Sequence, residues 1–239
     1  MARARIGKVT LRPMQPRVIA PFTDRTKLST LRAAVKRGLS LLEARIDLFD
    51  SVESDHVVAT LEAARAVAPV LATVRSNAEG GQWAKGERER LALYRAIAKH
   101  ADALDVELDA KIRSEVVELA KRARATVVLS HHDFKTTRGA AHLDDIVVRA
   151  EKAGADVIKI ATYVRLESHV YALARLLLRH RKRPLVVIGM GPKGAVTRIE
   201  LPAMGSLFTF ASLEKTTAPG QLGLGETLRG IEKFVASRS

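Results

Sequence analysis

The stretch "GADVIKIATYV", residues 154–164, holds one lysine inside a run of apolar and β-branched residues. Its length, its β-branching and the glycine before it favour a strand over a helix. Successive side chains of a strand point to opposite faces. Val157, Lys159 and Ala161 therefore share one face, and Ile158 and Ile160 share the other. A strand apolar on both faces belongs to a parallel sheet covered by helices. The isoleucines suit a helix layer, which leaves Lys159 pointing toward other strands. An ammonium there costs roughly several kcal/mol unless it is paired or neutralised.

Similar runs recur along the chain. They are "RVIAPF" (17–22), "LLEARID" (41–47), "PVLATVR" (69–75), "ALDVEL" (103–108), "TVVLSHHD" (126–133), "ADVIKIA" (155–161), "PLVVIG" (184–189) and "SLFTFA" (206–211). Between them lie segments with apolar residues at i, i+3 and i+4, such as "ERERLALYRAIAKH" and "HLDDIVVRAEKAG". Eight strand–helix units at roughly 27-residue spacing predict an α/β protein, a single-domain (β/α)8 TIM barrel over residues 17–239. A doubly wound open sheet is the alternative, but it would normally carry fewer units. Residues 1–16 read as a basic N-terminal extension, a short β-arm covering the barrel bottom.

Composition narrows the function classes. The 239 residues include no cysteine, so neither disulfides nor thiolate metal sites are available. That fits a reducing cytoplasm. No apolar run approaches the ~20 residues of a spanning helix, and the basic N-terminus lacks an apolar core, so no membrane association or secretory signal is expected. The net charge of +14 raises nucleic acid as a partner. With only 4% aromatic residues there are few stacking platforms for a single strand. A nucleic-acid partner is therefore not expected, and an anionic small molecule explains the charge as well.

In a (β/α)8 barrel, chemistry gathers at the C-terminal ends of the strands. The polar residues of the apolar runs fall near those ends. Glu43, Arg45 and Asp47 share one strand face, as substrate groups or as a structural salt bridge. Arg75 precedes "SNAEGG", a glycine-rich loop carrying Glu79. In "SHHDF", Ser130 and His132 share a face and His131 takes the other. An inward histidine at a strand top suits general acid/base work near neutral pH. For Lys159, apolar surroundings and nearby arginines disfavour the ammonium, and a neutral amine attacks carbonyls to form a Schiff base. The alternative is an ion pair with Glu43 or Glu107. "GMGPKGAVTR" (189–198) leads to Arg198 and offers glycine N–H groups to an anion. "EKTTAPGQLGLGE" (214–226) reads as a lid or a turn, with Gln221 inside it.

Together these residues resemble the type I 3-dehydroquinate dehydratases. The resemblance runs from about residue 17 to residue 230. It rests on "E-x-R-x-D" (Glu43–Asp47), "R-S-x-x-E-G-G" (Arg75–Gly81), "S-x-H-D-F" (Ser130–Phe134) and "KIA" (Lys159–Ala161). Further matches are "MG-x-x-G-x-x-x-R" (Met190–Arg198), "GSLFTFAS" (Gly205–Ser212) and "APGQL" (Ala218–Leu222). Each motif alone is weak, but seven in the family's order are specific. The resemblance implies a shikimate-pathway lyase that takes 3-dehydroquinate to 3-dehydroshikimate by syn elimination, without metal or cofactor. It implies Lys159 as Schiff-base nucleophile, His132 as general base and then acid, and Glu79 as the group orienting His132. It further implies Arg198 on the substrate carboxylate, with Glu43, Arg45, Arg75, Thr217 and Gln221 holding the ring and closing the site. A cytoplasmic homodimer is also implied.

Three positions depart from the family pattern. Tyr163-Val164 replace Met-Pro after "KIA", Thr217 stands where a serine is usual, and Pro21 ends the first strand in place of a small polar residue. The alternatives are another Schiff-base barrel enzyme of the aldolase type, or a non-enzymatic basic binding protein on this barrel.

Overall fold

Valine, isoleucine and leucine dominate the apolar runs, and all eight runs form strands. The computed structural model describes residues 4–213 and 219–235. Within them, β1 (Ala4–Ile6) and β2 (Val9–Leu11) make an antiparallel hairpin. Eight parallel strands follow. They are β3 (Arg17–Phe22), β4 (Leu41–Arg45), β5 (Val70–Thr73) and β6 (Ala103–Glu107). They continue with β7 (Thr126–Asp133), β8 (Val157–Tyr163), β9 (Leu185–Met190) and β10 (Phe208–Ser212).

Neighbouring strands pair in chain order from β3 to β9, and β10 returns to pair with β3. The β9–β10 seam is narrower. It is joined by Leu207 N–H on Leu185 O at 3.0 Å and by Val187 N–H on Ser206 Oγ at 3.1 Å. The sheet therefore curls into the barrel that the eight-fold repeat predicts. A two-residue strand, β11 (Leu222–Gly223), adds to the upper part of β10.

Each barrel strand is followed by a helix: α1 (Leu28–Lys36), α2 (Ser54–Arg65), α3 (Glu87–Ile97) and α4 (Arg113–Ala123). The others are α5 (Ala140–Lys152), α6 (Glu167–Arg179), α7 (Thr197–Ala203) and α8 (Leu224–Val235). In α5 the buried residues Leu143, Ile146, Val147 and Ala150 keep i, i+3, i+4, i+7 spacing and form one stripe. Ile158 and Ile160 lie with that stripe in the outer core between sheet and helices, whereas Val157 and Ala161 lie in a separate inner core. The alternation in "DVIKIA" thus resolves as its period requires. No described helix is long and apolar enough to cross a membrane.

The inner core closes the N-terminal end of the barrel. Ile19, Leu41, Leu71, Val128, Val157 and Val186 form its wall, and Ile6 and Leu11 of the hairpin enter it with no exposed surface. Burying two such side chains contributes about 1.5–3 kcal/mol each. Among the described residues, apolar side chains therefore fill the barrel's lower end.

Candidate active site

The inward position next above Val157 on β8 is Lys159, and there the interior changes from apolar to charged. Lys159 is 4% exposed. Its Nζ donates to Asp105 Oδ2 at 3.0 Å, stands 3.6 Å from Glu43 Oε1 and lies 4.5 Å from the centre of the Phe210 ring. Apolar and arginine side chains do share the cavity with Lys159, as expected, but carboxylates stand closest to the amine. Of the two ionic partners considered, Glu43 faces it and Glu107 is engaged elsewhere. Burial alone would raise the Asp105 carboxyl, but the Arg75 and Lys159 charges and Ser130 hold it far below the usual carboxylate range.

Arg75 extends from the end of β5 back over the interior. Its Nη2 meets Asp105 Oδ1 at 2.7 Å, and its Nη1 meets Ser130 Oγ at 2.8 Å and Glu107 Oε1 at 3.1 Å. Burial opposes this charge, yet Asp105 and Glu107 raise its pKa overall. On β4, Glu43 accepts from Thr73 Oγ1 at 3.1 Å as well as facing Lys159. Arg45 forms a bidentate pair with Asp47 at 2.8 and 2.9 Å. Asp47 has left the strand for a 3-10 turn, so the pair closes around the strand end instead of along one strand face.

His132 sits on β7 on the inner face with Ser130, as alternation requires. His131 turns outward, with its ring 6.0 Å from that of His142. The loop after β5 folds a 3-10 turn, Asn77–Glu79, that brings Glu79 Oε2 to 2.8 Å from both the backbone N and the Nδ1 of His132. Since Oε2 accepts the backbone N–H, it serves as acceptor for Nδ1–H too, which leaves Nε2 as the basic nitrogen. The loop depends on glycine: Gly80 has φ +76°, and a Cβ there would lie 2.4 Å from the Phe134 ring. Burial, opposed by Arg75 and aided by the Glu107 charge, pushes the Glu79 carboxyl up to about 8. Burial and the charges of Arg75 and Lys159 hold the His132 imidazole well below its ordinary value. The histidine is therefore a neutral base in the resting site.

Arg198, on α7, completes the rim. It is 2% exposed, its Nη2 donates to Pro219 O at 3.2 Å, and its Nε has no partner among the described residues. Burial alone lowers its pKa to about 10. Pro219 O also accepts the Gly191 N–H at 3.1 Å. Gly220 packs on this contact so closely that a Cβ would stand 2.3 Å from Gly191 O. This corrects the anion cradle expected at "GMGPKG". The N–H groups of Gly191, Gly194 and Ala195 all donate to backbone carbonyls, so those three are not offered to an anion. Gln221 is 8% exposed and lines the cavity. Thr217 lies outside the described residues.

These groups surround one cavity of about 540 Å³, bounded by Glu43, Arg45, Arg75, Glu79, His132 and Lys159, with Arg198, Phe210 and Gln221 also lining it. That size suits a small-molecule ligand. A family model described as type I 3-dehydroquinase matches residues 19–232. The chain belongs to the type I 3-dehydroquinase family. Among its relatives, the 3-dehydroquinate dehydratase of Thermodesulfovibrio yellowstonii is 31% identical over 209 residues, covering 87% of this chain and 91% of that one. The Methanosarcina barkeri 3-dehydroquinate dehydratase is 33% identical, covering 90% and 93%. The Geobacillus kaustophilus 3-dehydroquinate dehydratase superposes with a TM-score of 0.91 at 27% identity over 99% of this chain and 98% of that one. The type I enzyme of Clostridium difficile, described with covalent modified comenic acid, gives 0.89 at 25% identity, covering 98% of each chain.

Within this dehydroquinase fold, two buried groups escaped the sequence reading. Asp105 is the inward residue two before Glu107 on β6, so the same alternation that marks Glu107 marks it. Arg90 occupies the apolar stripe of α3 beside Leu91, Tyr94 and Ile97. A cation at a core-facing helical position was the available signal.

Proposed function

We propose that this chain dehydrates 3-dehydroquinate to 3-dehydroshikimate through a Schiff base on Lys159, with His132 moving the proton. The observation that carries the reading is the layered interior: one amine, one base-form histidine and one incompletely paired guanidinium face a single cavity above an apolar floor. Family membership supports the substrate, and the covalent ligand of the Clostridium difficile relative supports adduct chemistry on this fold.

The steps follow from the groups present. Lys159, once its ammonium has given up a proton, adds to the C3 carbonyl, and loss of water leaves an iminium. The C=N⁺ withdraws electrons from C2, so the C2 proton becomes acidic. Nε2 of His132 takes it, while Nδ1–H remains on Glu79. The resulting enamine pushes out the C1 hydroxyl, which takes the same proton back from the imidazolium and departs as water. Hydrolysis of the conjugated imine frees product and restores the amine. One group handles both transfers of that proton, which accounts for syn stereochemistry. Carbanion charge is spread into the imine nitrogen, so the sink is built from the substrate and Lys159 themselves.

Arg198 suits the substrate carboxylate. Arg198 has no carboxylate partner among the described residues; a buried guanidinium so placed is costly, and a bidentate anion relieves that cost. Glu43, Arg45, Gln221 and Thr217 are assigned to the ring hydroxyls and closure, and Arg75 chiefly to holding Asp105. The same reading divides the chain into a basic extension (1–16) and a catalytic barrel (17–239), acting as a cytoplasmic homodimer; light scattering after gel filtration tests the dimer. Growth of the conjugated enone absorbance with 3-dehydroquinate tests the activity. Purified, folded protein that yields no enone would refute it.

A further inference from the structure

Arg90 is 1% exposed although it belongs to an outer helix. Its Nε donates to Val74 O at 2.8 Å, its Nη1 to Glu87 Oε1 at 2.9 Å, and its Nη2 to Glu107 Oε2. The other oxygen of Glu107 accepts from Arg75 Nη1 and, at 2.9 Å, from the Ser76 N–H. Arg75 then meets Asp105, and Asp105 meets Lys159. A chain of alternating charge, Glu87–Arg90–Glu107–Arg75–Asp105–Lys159, thus runs from the part-exposed surface of α3 through the barrel wall to the amine.

We propose that Arg90 is a positioning residue for the dehydration: by neutralising Glu107 it keeps Arg75 committed to Asp105, and so limits how tightly Asp105 holds the Lys159 ammonium. The inference rests on Lys159 being the nucleophile. With Arg90 gone, Glu107 becomes a buried carboxylate sharing its single remaining arginine with Asp105. Arg75 shifts toward Glu107, and Asp105 turns its freed charge on Lys159. The amine then needs a higher pH to attack.

Among the described residues, no other group facing these takes Arg90's place. From α3, the Tyr94 hydroxyl donates to Asp105 O at 2.6 Å and accepts from Val74 N–H at 3.2 Å. Glu43 from β4 is a carboxylate like Glu107, and Glu79 from the loop after β5, whose carboxyl is pushed up to about 8, supplies no positive charge. His132 from β7 is held neutral by burial and the neighbouring cations. Phe210 from β10 offers Lys159 only its ring face.

The test is the initial rate of adduct formation on Lys159 with 3-dehydroquinate and cyanoborohydride, read by intact mass from pH 5.5 to 9.5. Wild type, Arg90→Gln, Glu107→Gln and the double variant are compared as full-length protein. Arg90→Gln should move the midpoint of the rate up by about one pH unit, giving trapping roughly tenfold slower below the midpoint and close to wild type at pH 9.5. Glu107→Gln should move it down, and the double variant should return it near wild type. This set keeps the inference falsifiable if Arg90→Gln fails to fold, because the Glu107→Gln direction and the double variant remain readable. A pH-independent loss, a Glu107→Gln shift that is upward or nil, or a double variant no better than Arg90→Gln overturns the proposal. Wild type that traps on Lys159 beside an unshifted Arg90→Gln overturns it alone. Wild type that gains no mass on Lys159 overturns the nucleophile assignment and this inference together.

Discussion

Val157 and Lys159 are two residues apart on one face of β8, yet they occupy different media. Val157 lies with Ile6 and Leu11 in a cluster of buried apolar side chains at the closed end. Lys159 lies one layer higher, among Asp105, Glu43 and Arg75. The same eight strands build both ends, so what separates them is which residues alternation delivers at each level. The lower layer contributes stability and excludes water. The upper layer spends some of that stability on buried charges whose arrangement performs the chemistry. The comparison sorts substitutions: below Val157 they should alter folding and spare turnover, and above it the reverse.

The sharpest break is expected at Lys159 itself. Lys159→Ala should lower kcat by about 10⁵–10⁶-fold, the scale of deleting a covalent nucleophile, in enone-absorbance assays. Next comes His132→Ala, with a fall of about 10²–10⁴-fold in kcat while imine formation on Lys159 still proceeds. Mass spectrometry after reduction separates the two, and loss of both turnover and adduct in His132→Ala would contradict the assigned roles. At the other end, Ile6→Ala should cost about 2–5 kcal/mol by leaving a cavity in the inner core. Thermal unfolding should register that loss with kcat unchanged within about twofold; a change in kcat without a change in Tm would break the division between layers.

The smallest effect is a pH dependence. Native Glu79 keeps its proton up to about 8, whereas an unfolded glutamate loses it above about 4.5. Between those values the unfolded chain alone releases the proton, so this group makes the fold less stable as pH rises. Glu79→Gln removes that loss. Its Tm relative to wild type should therefore grow from pH 5 to pH 8, as followed by circular dichroism. A difference that shrinks over this window would show that Glu79 is ionised in the native protein.

Much of this arrangement was legible in the chain, for physical reasons that also mark where legibility stops. The runs 17–22 and 126–133 match β3 and β7 end for end, because β-branched residues and period-two alternation are local signals. The inward placement of Lys159, His132 and Ser130 follows from the same alternation. What pairs with what does not. The reading gave Lys159 arginine neighbours, or Glu43 or Glu107 as an ionic partner; barrel register does bring Glu43 to it, adds Asp105, and sends Glu107 to Arg75 and Arg90. The run 155–161 stops two residues short of β8, whose pairing with β9 carries on to Tyr163 opposite Met190. The glycines of "GMGPKG" read as an anion cradle because composition shows the flexibility and not the carbonyls that consume the N–H groups. Arg90 was missed for a related reason: its place on the apolar stripe of α3 was readable, but its partners, Val74 O and Glu107, come from distant parts of the chain.

The most direct test of the central claim is reductive trapping of wild-type protein with 3-dehydroquinate and borohydride, followed by peptide mapping. The expected result is one stoichiometric mass increase equal to the reduced ligand adduct, placed on Lys159 within "VIKIATY". Catalytically active protein that carries no adduct, or carries it on another lysine, would contradict the assignment of Lys159 as the amine that forms the Schiff base.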